Sequence, residues 1–91
     1  MGKTYEFLQI YKKIYGGEVP TPEKIKNTKL ITGILRDVYQ IAKSDSLSRN
    51  WRPAELVALI KRSYNTPGEV QKWLVDSVKA VYESGYKEGR G

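Results

Sequence analysis

The chain has 91 residues, of which 40% are hydrophobic and 29% are charged. This composition is typical of a single globular domain with a modest core, and it argues against global disorder. Cysteine and histidine are both absent, which excludes disulfides, thiolate or imidazole catalysis and the usual zinc sites. The net charge of +6 favours an anionic partner, of which nucleic acid is the commonest.

No apolar run reaches the roughly 18 residues that a membrane span needs, and the first residues lack the apolar segment of a signal peptide. We therefore expect no membrane association and a cytoplasmic location. A single methionine, few amide side chains and abundant lysine, arginine and tyrosine resemble the composition of heat-stable proteins. On that ground we expect a thermostable protein.

In chain order, the first predicted element is a short amphipathic helix over residues 4–15. Its narrow apolar stripe comprises Phe7, Ile10, Tyr11 and Ile14. Gly16 with Gly17 provides the left-handed stop at which helices end. Because about 12 residues are too few for a stable isolated helix, the stripe is predicted to dock on the helix that follows.

The central predicted element is a long helix over residues 22–44. Thr21 has the hydroxyl of a good N-cap, and Pro22 suits the first helical position because its missing N–H costs nothing there. One side of this helix carries apolar or small residues at steps of three and four: Ile25, Thr28, Ile31, Leu35, Val38 and Ala42. The stripe is wide enough to contact two neighbouring helices. Gly33 is interpreted as a close contact with another helix, with a hinge as the alternative.

Residues 44–52 are predicted to be the main irregular segment, because turn formers cluster there between two periodic runs. Leu47 is expected to point inward. Trp51 lies between Arg49 and Arg52, so its indole could stack on a base while the guanidinium groups hold phosphates. The alternative is that Trp51 closes one end of the core and the arginines face solvent. As loop residues, both arginines should be replaceable without loss of the fold.

Two further helices are predicted over residues 53–64 and 67–84. Pro53 opens the first of them, and Thr66-Pro67-Gly68-Glu69 has the pattern of a capping box at the start of the second. The pair fits either an ordinary antiparallel helix pair or, in part, a helix-turn-helix.

Gly85 is predicted to end the last helix, which leaves residues 86–91 as a flexible tail and a core over residues 4–85. These elements together predict an all-α fold in one domain. We expect a small bundle of about four helices with the long second helix at its centre.

No calcium loop, phosphate loop or nucleophile elbow is present in the sequence. We therefore expect no cofactor, no metal and no enzymatic activity, and we assign acidic residues such as Asp45 to solvated helix surface.

The first functional hypothesis is a small nucleic-acid-binding protein that contacts mainly the phosphate backbone. Its expected contact residues are Lys24, Lys26, Lys29, Arg49, Trp51, Arg52, Lys61 and Arg62. For Lys24, Lys26 and Lys29, near the start of the long helix, the alternative is that they form an ordinary solvated helix face. The alternative for the protein is a protein-binding accessory subunit, for example of a DNA replication, polymerase or transcription complex, or a self-associating helical protein.

Overall fold

The computed structural model describes residues 7–65 and 68–90, apart from the side chain of Glu69. Within these residues the protein is all-α, as predicted, and its four helices are α1 (Phe7–Tyr15), α2 (Pro22–Leu47), α3 (Pro53–Ser63) and α4 (Gly68–Arg90). No helix in the described ranges is both long and apolar enough to cross a bilayer. Residues 4–6 of the first predicted helix and Thr66-Pro67 of the predicted capping box lie outside the described residues.

The first helix ends where the glycine pair predicts. Gly16 has a φ of 63°, and its N–H donates to the Lys12 carbonyl at 2.9 Å, which is the geometry of a left-handed helix end. The three buried side chains of α1 are Ile10, Tyr11 and Tyr15. They pack this helix against α2 and, to a smaller extent, against α4. The predicted docking of the first helix on the second is therefore confirmed.

The start of α2 is also as predicted. The Thr21 hydroxyl accepts a hydrogen bond from the Lys24 N–H at 3.2 Å, and Pro22 occupies the first helical position. Most of the predicted apolar stripe is buried, namely Thr28, Ile31, Leu35, Val38 and Ala42. Gly33 is exposed, and a Cβ at this position would meet no atom within 4 Å. The predicted close helix contact at Gly33 is therefore wrong.

The main contact of the fold is between α2 and α4. A Cβ on Gly85 would lie 2.7 Å from the Tyr39 carbonyl oxygen, and a Cβ on Gly89 would lie 2.8 Å from the Lys43 carbonyl oxygen. Both pairs advance four residues in the same direction, so α2 and α4 run parallel. Glycine allows the two backbones to approach this closely because it has no side chain to displace.

The predicted helix end at Gly85 is wrong, because Gly85 is a packing position inside α4. The helix continues to Arg90, and Tyr86 packs against the buried core. The predicted flexible tail is therefore helical over residues 86–90, and Gly91 lies outside the described part of the chain.

The third helix, α3, connects the two parallel helices and packs on α4. Its buried residues are Leu56 and Ile60. Between α3 and α2 lies a shallow apolar groove of about 170 Å³, which Ile34, Ile41 and Leu59 help to line. α2 therefore has α4 along one flank and this groove along the other.

Candidate nucleic-acid interface

The end of α2 differs from the prediction. The helix continues to Leu47 and closes in a Schellman motif, in which the Asn50 N–H donates to the Asp45 carbonyl at 2.8 Å and the Arg49 N–H donates to the Ser46 carbonyl at 3.1 Å. Arg49 occupies the left-handed position of this motif with a φ of 56°, where glycine is usual. The expected inward position of Leu47 is wrong, since this side chain is 80% exposed.

Asp45 fixes the loop after α2 to α4. Its carboxylate accepts hydrogen bonds from the Arg52 Nε at 2.8 Å and from the Tyr82 hydroxyl at 2.6 Å. The Arg52 backbone N–H donates to the same hydroxyl at 3.2 Å. The expected position of Asp45 on a solvated surface is therefore wrong, because the residue is buried and holds two partners.

The contacts between Asp45, Arg52 and Tyr82 determine how the Asp45 carboxyl and the Tyr82 hydroxyl ionise. Burial opposes the charge on Asp45, but the hydrogen bonds from Arg52 and Tyr82 outweigh it, so the pKa of the carboxyl lies below its usual value. Burial, and then the hydrogen bond to Asp45, raise the pKa of Tyr82 to about 12. Tyr82 is therefore a neutral donor at neutral pH. Arg52 is held by an internal contact, although 36% of its side chain remains exposed.

Trp51 is supported by the fold and still accessible. Its ring meets the rings of Tyr82 and Tyr86 edge-on, at centroid distances of 5.3 and 5.0 Å. The indole nevertheless remains 54% exposed. Both interpretations of Trp51 from the sequence thus describe part of its surroundings: two tyrosines position the ring, and more than half of its surface faces solvent.

The basic residues predicted as contacts do not form one cluster. The Lys24 ammonium contacts the Glu18 carboxylate at 2.6 Å and lies 5.6 Å from the centroid of the Tyr15 ring. Lys61 and Arg62 are exposed in the last turn of α3. Lys24 and Arg49 lie at opposite ends of α2, about 35 Å apart at 1.5 Å per residue.

A different basic arrangement runs along one side of α2. Lys29, Arg36 and Lys43 are spaced seven residues apart, so they lie on nearly one line at intervals of about 10.5 Å. We call these three residues the basic line. Among the described residues none of them makes an ion pair, and the Lys43 ammonium lies 5.8 Å from the centroid of the Tyr39 ring.

The basic line has few acidic neighbours on α2 itself. Lys26 lies one turn before Lys29 and is also exposed. Beyond the first turn of α2 the one exposed carboxylate on this helix is Asp37, and it lines the groove towards α3. The sequence analysis missed Arg36 and Lys43, although their seven-residue spacing from Lys29 is visible in the sequence.

A polar pocket lies where α2 and α4 end side by side. This cavity of about 490 Å³, which we call the C-terminal pocket, is lined by Ser46, Leu47, Arg49, Tyr86, Gly89 and Arg90. Of the residues that the structure describes, two arginines and no acidic side chain line it. Sequence analysis placed Tyr86 and Arg90 in a flexible tail, and it therefore could not associate them with Arg49.

The chain matches no protein-family model, no curated protein and no solved structure. Its functional assignment therefore depends on the geometry and charge of the surfaces described above.

Proposed function

We propose that this is a small, non-enzymatic nucleic-acid-binding protein that contacts mainly the phosphate backbone through the basic line. The observation that carries the proposal is the alignment of Lys29, Arg36 and Lys43 along one side of α2, where the first two are exposed and Lys43 is half-buried. A basic stripe along a helix is the usual electrostatic footprint of such proteins. Each of these cations, once placed near a phosphate, would release condensed counterions from the nucleic acid.

The dimensions of the basic line suit a polyanion. Lys29 and Lys43 are about 21 Å apart along the helix axis. One strand of duplex DNA advances 3.4 Å per phosphate, so this distance corresponds to about six steps. Three cations spread over six steps can neutralise several phosphates at once, whereas a single small anion would meet only one of them.

The proposal is tested by titrating a short duplex and a single strand at several salt concentrations. Three phosphate contacts predict a log–log slope of about −2.7 on duplex, from about −0.9 per contact. Replacing the three residues of the basic line by Gln should reduce the magnitude of the duplex slope by about 2.7 and weaken binding to every sequence alike. Circular dichroism of the variant should be unchanged, because the substituted side chains are exposed or half-buried.

A matched control removes the same charge elsewhere. Lys12, Lys72 and Lys79 are exposed on α1 and α4, and their replacement by Gln also lowers the net charge by three. If this control weakens binding as much as the loss of the basic line, only total charge matters and the assignment of α2 is wrong. No measurable binding to DNA or RNA near 50 mM salt, where phosphate contacts are strong, would contradict the proposed function itself.

A second candidate is a protein-binding accessory subunit or a self-associating helical protein, and the groove between α2 and α3 favours it. Leu59 and Tyr64 are 45% and 37% exposed at this groove, and contiguous exposed apolar surface is a common feature of protein contacts. Leu59→Glu should abolish self-association or partner capture under this alternative. The same change should leave nucleic-acid binding unaltered if the basic line is the functional surface.

A further inference from the structure

We propose that the C-terminal pocket and Trp51 together form a subsite for one nucleotide of a single strand. The phosphate is held in the pocket between Arg49 and Arg90, and the base stacks on the indole of Trp51. This inference deepens the proposed function and rests on it. It assigns to the end of α2 a preference for unpaired over paired nucleic acid.

The first argument is the position of the aromatic residues. Tyr86 lines the C-terminal pocket and also contacts Trp51, with 5.0 Å between the ring centroids. The pocket and the exposed indole are therefore separated by a single ring. In a nucleotide the base and the phosphate project from one sugar, so neighbouring sites for a ring and for an anion match its two ends. Stacking on an aromatic side chain is the common way in which proteins hold unpaired bases.

The second argument is the backbone of Arg49. Its left-handed conformation is unfavourable for any residue with a Cβ, and the Schellman position normally holds glycine. Backbone strain of this kind persists only where surrounding contacts enforce it, and it clusters at ligand-binding and active sites. Here Arg49 lines the pocket, and it brings a positive charge that glycine at the same position would not provide.

The third argument is the charge balance of the pocket. Because α2 and α4 are parallel, both of their C-terminal ends meet here, and each end carries about half a negative charge. Arg49 and Arg90 together supply two positive charges, so about one remains after both helix ends are offset. Among the described residues no carboxylate lines the pocket, and Asp45 is already engaged with Arg52 and Tyr82. The net charge at the pocket therefore suits an anion.

The pocket also continues the basic line. Gly89 lines it and packs against the backbone of Lys43, which is the last residue of the line. A strand that follows Lys29, Arg36 and Lys43 thus arrives at Arg49 and Arg90. A duplex can follow the same path with its phosphates, but its paired bases are stacked inside the helix and would not reach Trp51.

The first test uses the fluorescence of Trp51. The chain has two tryptophans, and Trp73→Phe leaves Trp51 as the remaining one. We expect a single strand of ten thymidines to quench this emission in a saturable way, and a duplex of equal length to quench it much less. In the chain that retains Trp73, Trp51→Leu should weaken single-strand binding by about 5- to 150-fold, the range expected when one stacking contact is lost. Duplex binding should change less than twofold.

The second test separates the pocket from general charge. Arg49→Gly combined with Arg90→Gln should lower the single-strand salt slope by up to about 1.4, from about 0.7 per contact. Arg49→Gly alone should also raise Tm by about 4–8 °C, because glycine removes the left-handed strain. A purely structural role of Arg49 would not combine higher stability with weaker binding. Lys72→Gln with Lys79→Gln is the matched control and should leave the slope unchanged.

The outcomes distinguish this inference from the proposed function. If single strands bind through the basic line but leave the emission of Trp51 unchanged, the nucleotide subsite is wrong and the proposed function stands. If no nucleic acid binds at all, both are wrong. A polyglutamate peptide that quenches Trp51 as strongly as the thymidine strand would also overturn the subsite, since an acidic protein would then satisfy the same pocket.

Discussion

The parallel contact between α2 and α4 predicts an unusual response to Gly85→Ala. In an ordinary helix interior this change is stabilising by about 1 kcal/mol, because alanine is the better helix former. At Gly85 the new Cβ would lie 2.7 Å from the Tyr39 carbonyl oxygen and 2.9 Å from the Ala42 Cβ. Both distances are well below the optimal separation of about 3.5–4.0 Å for non-bonded carbon atoms. The Tyr39 atom in this contact belongs to the main chain, so it cannot move away by a side-chain rotation.

The magnitude follows from the movement that the clash requires. α4 must retreat from α2 by up to about 1 Å, and a gap of that size forfeits a quarter to a half of the dispersion energy at the contact. Overpacking of a well-packed core costs about 1–3 kcal/mol. After the gain in helix propensity, we expect a net loss of up to about 2 kcal/mol, which lowers Tm by up to roughly 16 °C in a domain of this size.

Thermal unfolding followed by circular dichroism measures this effect, and Gly33→Ala is the matched control. Gly33 is an exposed interior position of α2 with open space around it, so there the same change should be stabilising by up to about 1 kcal/mol. Gly85→Asn distinguishes a packing role of Gly85 from a role of Gly85 as the end of α4. At a left-handed helix end asparagine is tolerated better than alanine, whereas at a close crossing the larger asparagine is worse.

Two results would refute the parallel contact. If Gly85→Ala is as stable as the unsubstituted protein or more stable, α4 does not approach α2 at this position. If Gly85→Asn is more stable than Gly85→Ala, Gly85 ends the helix, as the sequence alone predicts.

Two further predictions concern the contacts of Asp45. Because its pKa lies below the usual value in the folded protein, its stabilising contribution is present above the unfolded carboxyl pKa of about 4 and is lost as the pH falls through the folded value. Asp45→Asn should therefore lower Tm at pH 7, and the difference in Tm between this variant and the unsubstituted protein should become smaller below about pH 4. A difference in Tm that stays constant from pH 7 to below pH 4 would contradict the lowered pKa of Asp45. Tyr82→Phe removes the hydroxyl that joins Asp45 to the Arg52 backbone, which should cost about 1–3 kcal/mol in urea unfolding. Tyr86→Phe is the control. The Tyr86 hydroxyl makes no hydrogen bond within the described residues, so its removal should change the free energy of unfolding little.

Local signals predicted the fold class, the starts of α2 and α3 and the end of α1. Thr21-Pro22, Pro53 and Gly16 act through their own backbone geometry, and each performs its predicted role in the structure. Such signals depend on a few neighbouring residues, so they can be recognised without knowledge of the rest of the chain.

The errors came from residues whose role depends on distant partners. Gly85 has the composition of a helix end, and only the approach of Tyr39 and Ala42 shows that it is a contact point. Asp45 looks like a solvated turn former, and its burial depends on Tyr82, which lies 37 residues further along the chain. Neither long-range partner can be inferred from helical periodicity alone.

The candidate site was only partly accessible to sequence reasoning. The pair Arg49 and Trp51 was visible because the two residues are close together in the chain. Arg90 was not associated with them, because the predicted helix end at Gly85 removed it from the folded part of the protein. The mistaken assignment of one glycine thus concealed half of the C-terminal pocket.

The parallel arrangement of α2 and α4 connects stability to the proposed function. In an antiparallel pair the C-terminal ends would lie at opposite ends of the bundle, and Arg49 and Arg90 could not line one pocket. The glycines at positions 85 and 89 permit the parallel approach, and the contacts of Asp45 fix the loop that carries Trp51. Changes that loosen this approach, such as Gly85→Ala, should therefore weaken single-strand binding even though residue 85 contacts no ligand. Binding to the basic line, which lies within α2 alone, should be affected much less.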